Sequence, residues 1–163
     1  MRLTTRTDLA LRTLMACALN PGRILRKHEV AEICNVSENH LAQVINELGR
    51  KGFVTTIRGR SGGLVLARPA DGIGVGAVAR AFEAGTTGED CFAASRTRCP
   101  LAPACRLRKA LAKAVDAFHA TLDELSIADL VDDNPGLAAV LTLPGPARLP
   151  ALTACPRAAA LNA

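Results

Sequence analysis

The chain has 163 residues, 49% of them apolar and 21% charged, with a formal net charge of +5. That is enough to bury one sizeable core, and too apolar for a disordered or fibrous chain. Arg6, Asp8 and Arg12 interrupt the apolar pattern near the start and no long apolar run comes after them, so a cytoplasmic protein with neither signal peptide nor membrane contact is expected. The absence of Trp and Tyr argues against stacking on single-stranded nucleic acid.

The positive charge is unevenly placed. Residues 1–70 hold eleven Lys/Arg against five Asp/Glu, whereas residues 71–163 hold nine against ten. The N-terminal part therefore carries the electrostatic footprint expected for a phosphate-rich partner. On charge alone a solvated basic face is the competing explanation.

In chain order, residues 5–19 place Leu11, Leu14, Met15 and Ala18 on one helical face, closed by Pro21-Gly22. Asp8 and Arg12 lie one turn apart elsewhere on this helix; locally, Asp8 reads as a first-turn acid favourable to the helix dipole. Cys17 reads as a small packed hydrophobe. A second helix spans Lys27 to Cys34, with Val30, Ala31 and Ile33 or Cys34 inward, and breaks at Asn35-Val36. Ser37 then caps a third helix whose Leu41, Val44, Ile45 and Leu48 form a buried stripe. Its other face carries Asn39, Gln43, Asn46 and Arg50.

Two short helices joined by a tight turn, the second with an amide-rich outer face, fit a helix-turn-helix reading double-stranded DNA in the major groove. Asn and Gln pair with adenine, and Arg with guanine or phosphate. Ser37 and His40 fall at the helix start, where His40 fits a packing or phosphate contact better than a metal ligand. An ordinary solvated face would look similar. The next segment favours DNA: Phe53–Ile57 reads as a strand, Arg58-Gly-Arg-Ser-Gly-Gly63 as a tight turn, and Leu64–Ala67 as the returning strand. Such a hairpin is a wing. Arg58 and Arg60 at its tip would reach phosphate or a minor groove, with three glycines allowing close backbone approach.

A short helix over Val75–Phe82 leads into CFAASRTRCPLAPAC, where Cys91, Cys99 and Cys105 occur at spacing C-x7-C-x5-C. Gly85, Gly88, Pro100 and Pro103 keep this segment from helix or strand. In a reducing compartment the thiols fit metal or iron–sulfur ligation, with a disulfide or small buried side chains as the alternatives. Beyond them Leu107, Leu111, Val115, Phe118, Leu122 and Leu125 recur at spacings of four and three. This is a long amphipathic helix suited to a two-fold helix pair. His119 within it reads as a surface or interface residue. Ser126 starts one more short helix, Ile127–Val131. From Asn134 the Ala/Pro/Leu-rich sequence has no strong period and reads as a poorly ordered tail with room for local packing, and Cys155 as incidental.

The fold expected is mainly α with a small β-hairpin wing: a winged helix-turn-helix domain plus a long dimerisation helix. The corresponding divisions are 1–83 for DNA binding, 84–105 for the cysteine loop, 106–133 for the dimerisation helix and the short helix after it, and 134–163 for the tail.

Taken together, MRLTTRTDLALR, VSENHLAQVINELGRKGFV, RGRSGGLVLARP, CFAASRTRCPLAPACRLRKAL and LDELSIADLV resemble the NsrR, IscR and RirA group of winged-helix iron–sulfur regulators, over roughly residues 1–141. Within the group the resemblance is to the NsrR type, nitric-oxide-sensing repressors. The IscR type implies a histidine three residues after the last cysteine, where this chain has Arg108. The RirA type shares the cysteine spacing but implies no aspartate at the position of Asp8. One departure is Leu9, where many members have an aromatic residue.

The resemblance implies a homodimer holding an iron–sulfur cluster, 4Fe–4S favoured and 2Fe–2S possible, on Cys91, Cys99, Cys105 and, across the dimer, Asp8. It thus reverses the local reading of Asp8, and implies a DNA-binding repressor, not an enzyme, whose cluster reacts with nitric oxide and releases the operator. Alternatives are an iron- or redox-responsive regulator of the same group, a zinc- or thiol-based DNA binder, and an iron–sulfur electron carrier, which the basic winged half and the missing fourth local cysteine oppose.

Overall fold

The computed structural model describes residues 3–59, 61–83 and 105–144. Arg60, Cys91, Cys99, Cys155, nearly all of the cysteine loop and the terminal segment from residue 145 lie outside the described residues.

Helix α1, Thr5–Ala18, starts where the Thr4 side chain accepts the Thr7 N–H. Of the expected stripe, Leu11 and Leu14 are buried and Met15 and Ala18 partly so, while Thr7, Leu9, Ala10, Thr13, Ala16 and Cys17 are buried as well. Thr13 tolerates this because its hydroxyl donates to the Leu9 carbonyl oxygen at 2.7 Å. The helix is central, packing against four other helices, so few sides remain for solvent. Cys17 is 6% exposed and behaves as the small hydrophobe expected.

Helices α2, Lys27–Cys34, and α3, Glu38–Arg50, form the helix-turn-helix. The break between them falls at Asn35, whose φ of 52° is left-handed, a conformation Asn tolerates better than most residues. Ser37 caps α3 as expected, and Leu41, Val44, Ile45 and Leu48 are its buried residues. Lys27 of α2 reaches Glu38 of α3 at 3.0 Å.

Strands β1, Val54–Ile57, and β2, Gly63–Leu66, pair antiparallel with Val54 opposite Leu66 and Ile57 opposite Gly63. β1 begins one residue later than expected and ends where expected, and β2 is shifted one residue toward the N-terminus; Phe53 lies just outside β1, buried, its carbonyl accepting the Ala67 N–H at 3.1 Å. Leu25 pairs with Leu64, exchanging bonds of 3.0 and 2.8 Å. The wing is thereby sewn to the segment before α2.

A 3-10 turn, Ala70–Gly72, leads to α4, Val75–Glu83, whose Val75, Val78, Ala79 and Phe82 point inward as expected. The long helix α5, Arg106–Asp123, has no fully buried residue, and Leu107 is 65% exposed. Leu125 falls beyond its end; the Leu125 carbonyl instead accepts the Val75 N–H at 2.8 Å. The short helix α6, Ile127–Val131, is capped by Ser126 and places Ile127, 0% exposed, in the same core as α1 and α3. It is therefore part of the winged domain's packing rather than an appendage of the long helix.

The tail reading requires correction over its first part. Residues Pro135–Leu141 form helix α7, capped by the Asn134 side chain with proline at its start, where the missing N–H costs nothing. Asn20 holds the segment down: its amide donates to the Leu141 carbonyl at 2.8 Å, and its side-chain oxygen accepts the Leu143 N–H at 2.9 Å. Arg23 adds a bond to the Leu143 carbonyl at 2.8 Å. The local sequence has too short a period to announce this helix, because its anchors lie 120 residues earlier.

Candidate functional site

Asn39, Gln43, Asn46 and Arg50 lie in one exposed row along α3, opposite its buried stripe. Ser37 is exposed at the head of the helix, its hydroxyl oxygen accepting the His40 N–H at 3.3 Å, while His40 itself is half-buried. Arg58 is exposed in the wing turn. Between α3 and the wing runs an open cleft of about 270 Å³, bounded by Lys27, Asn46, Ile57 and Gly59 among others. Amide donors on a helix beside a cationic turn can read base edges and hold phosphate in one engagement.

Two of the wing glycines have a packing role within the protein that the sequence did not indicate. A Cβ at Gly62 would stand 2.3 Å from the Ile57 carbonyl oxygen, and one at Gly63 2.2 Å from that of Leu25. Their lack of a side chain thus serves backbone packing within the protein. Gly59, with φ of +112° and open space around it, is the one of the three whose conformation shapes the free tip.

Of the three loop cysteines, Cys105 is described. It is partly exposed and serves as the N-cap of α5, its sulfur accepting the Arg108 N–H at 3.4 Å. A backbone N–H at a helix N-terminus suits a sulfur that carries negative charge as a ligand. Asp8 sits in the first turn of α1, its side chain 49% exposed and paired with Arg12 at 2.9 Å. A half-exposed carboxylate on a largely buried helix is available to a ligand from outside, so the donor chemistry of both residues fits a metal cluster. Cys34, by contrast, is buried, and its thiol is pushed up by burial, with Arg12 opposing and Asp8 adding to the effect.

Sequence reasoning missed Glu83, the last residue of α4 and the root of the cysteine loop. Only 5% exposed, its carboxylate accepts the Thr4 N–H at 2.7 Å and the Thr7 hydroxyl. The loop's entry is thereby bonded to the start of α1, one residue from Asp8. A charged residue ending an apolar helix was the available signal. Arg6 and Glu47, joined at 2.6 Å between α1 and α3, were likewise not singled out.

Residues 3–133 match the model of the Rrf2 family, iron-dependent transcriptional regulators. Among solved structures, the chain is similar to CymR, the global cysteine regulator of B. subtilis, at 25% identity and a TM-score of 0.62, covering 80% of this chain and 96% of that one. It shares its fold with the oxidized form of Staphylococcus aureus CymR, at 22% identity over 81% of this chain and 97% of that one, TM-score 0.63. T. potens IscR is similar in fold too, at 23% identity over 82% and 88% of the two chains, TM-score 0.63. No helix among the described residues is long and apolar enough to cross a membrane. The chain is a winged-helix, DNA-binding transcriptional regulator, not an enzyme, and it belongs to the Rrf2 family.

Proposed function

We propose that this regulator is a homodimeric repressor that reads double-stranded promoter DNA through α3 and the wing, and that it carries an iron–sulfur cluster sensitive to nitric oxide. The observation that carries the sensing part is Asp8: a half-exposed carboxylate on the helix packed against the recognition helix. Cys91, Cys99 and Cys105 would hold the cluster with Asp8 of the partner subunit, 4Fe–4S being favoured over 2Fe–2S. When bound, the cluster would supply an iron site that is more open to nitric oxide at the oxygen ligand than at a thiolate.

The protein's own residues do the rest. Cys105 fixes the loop to the start of α5, and Glu83 fixes its other end to the start of α1. Asp8, while engaged across the dimer, holds α1 and therefore the DNA-reading elements packed on it. Once released, it falls back to Arg12 within its own helix. The apolar stripe of α5, with Leu107 exposed and Leu111, Val115 and Phe118 only partly covered, supports a helix pair that sets two recognition helices about one DNA turn apart.

The test is a mobility-shift titration of anaerobically isolated protein on an operator fragment selected from a random DNA pool. Nitric oxide is expected to abolish the shift; binding that persists unchanged refutes nitric oxide as the signal. Iron supply or redox state, the signals read by RirA-like and IscR-like members of the group, are separated by repeating the titration after iron chelation and after air oxidation. The likeness in fold to a regulator whose structure is known in an oxidized form favours a second reading, a zinc- or thiol-based repressor using the same cysteines. Brown protein with iron and acid-labile sulfide supports the cluster; colourless protein with stoichiometric zinc supports the second reading.

A further inference from the structure

Arg6 and Asp8 stand two residues apart on α1, so at about 100° per residue they point about 200° apart around the helix. Asp8 faces outward with Arg12. Arg6 faces α3, where its Nη2 meets Glu47 Oε2 at 2.6 Å. The Glu47 side chain is only 15% exposed, and its second oxygen lies 3.7 Å from Lys51 Nζ. Glu47 directly follows Asn46 of the exposed amide row.

We infer that the Arg6–Glu47 pair is the strut through which displacement of α1 at Asp8 reaches the recognition helix, making both residues positioning residues of the response. The inference rests on the reading of Asp8 as an external ligand proposed above. Apolar contacts between α1 and α3 resist separation but are non-directional, so the two helices can slide on them. The charge-assisted bond between the half-exposed Arg6 guanidinium and the mostly covered Glu47 carboxylate is directional, so it resists sliding and rotation that the apolar contacts permit. It sits in the same first turn as Asp8, on the opposite side of the helix, so rotation of that turn must move Glu47 or break the pair.

The test compares full-length wild-type, Arg6→Ala, Arg6→Lys and Glu47→Gln proteins, each isolated anaerobically. Operator affinity is titrated before and after nitric oxide, with iron content and the visible spectrum recorded. In the wild type the two affinities should differ by about tenfold or more, within the usual range of coupling between sites. Arg6→Ala and the isosteric Glu47→Gln should keep wild-type iron content and spectrum while this ratio falls below about threefold, and Arg6→Lys should restore most of it. A wild-type ratio in the variants overturns the coupling while leaving the sensing reading intact. Affinity lowered equally in both states, with the ratio preserved, makes Arg6 a phosphate contact and also overturns it. A wild type whose affinity ignores nitric oxide overturns the sensing reading, and the coupling with it.

Discussion

Gly76 of α4 lies so close to Asp123 of α5 that a Cβ at position 76 would stand 2.0 Å from the Asp123 Oδ1 and 3.0 Å from its backbone nitrogen. Asp123 is in turn gripped by Arg80, one turn further along α4, through bonds of 2.5 and 2.9 Å. That guanidinium holds the Asp123 carboxyl below its ordinary value, chiefly by hydrogen bonding. A small residue on one turn and a cation on the next therefore set the closest approach of the long helix to the winged domain. Gly76→Ala should cost about 1–3 kcal/mol, the usual range for overpacking, seen as a lowered denaturant midpoint. Adding Asp123→Ala should recover part of it, since the side-chain clash disappears.

Asn20 ties helix α7 to α1, alongside the Arg23 bond to Leu143 and the burial of Leu141. Its amide donates to the Ala16 and Leu141 carbonyls and its oxygen accepts from Leu143, with the residue 7% exposed. Asn20→Ala leaves several of these groups unpaired in a dry place and should destabilise the protein by about 1–3 kcal/mol. Hydrogen exchange localises the effect: amides of residues 137–143 should lose protection before those of α1.

The Cys17 thiol is pushed up from 9.0 to about 12 by burial. Between those values the folded protein keeps a proton that the unfolded chain gives up, so stability falls as pH rises through that window, and below it Cys17 adds no slope. Its share is at most about 1.4 kcal/mol per pH unit. Denaturant unfolding of wild type and Cys17→Ala from pH 8 to 11 should show the wild type losing stability faster above 9.

On DNA, the exposed face of α3 and the wing should separate into two classes. Gln43→Ala and Asn46→Ala are expected to cost about 1–3 kcal/mol each on the selected operator and to relax preference at single base positions. Arg50→Ala and Arg58→Ala should weaken binding to all sequences alike and lower the salt slope by about 1. Titrations at several salt concentrations on specific and scrambled fragments distinguish the two. A preserved salt slope in Arg58→Ala would remove the wing turn from the interface.

The sequence by itself determined the elements whose signals are local. The Leu41, Val44, Ile45, Leu48 stripe, the Ser37 cap, the two β runs around a glycine turn and the long α5 pattern each depend on residues within a few positions of one another; the stripe and cap appeared where expected, the strands within one residue, and α5 ended two residues short of Leu125. The reading of Asp8 and Cys105 as ligands came from resemblance and from chemical type, since no local pattern distinguishes a ligand aspartate from a first-turn acid.

Tertiary structure decided what depends on distant partners. Gly62 and Gly63 stand against the carbonyls of Ile57 and Leu25, where a Cβ would not fit. Pro135–Leu141 is held as a helix with Asn20 and Arg23 satisfying carbonyls at and just beyond its end across the fold. Glu83 is buried because Thr4 and Thr7 donate to it. Hydrogen-bond satisfaction and close backbone approach are pairwise conditions, and a pair separated by 79 or 121 residues leaves no periodic trace in either stretch.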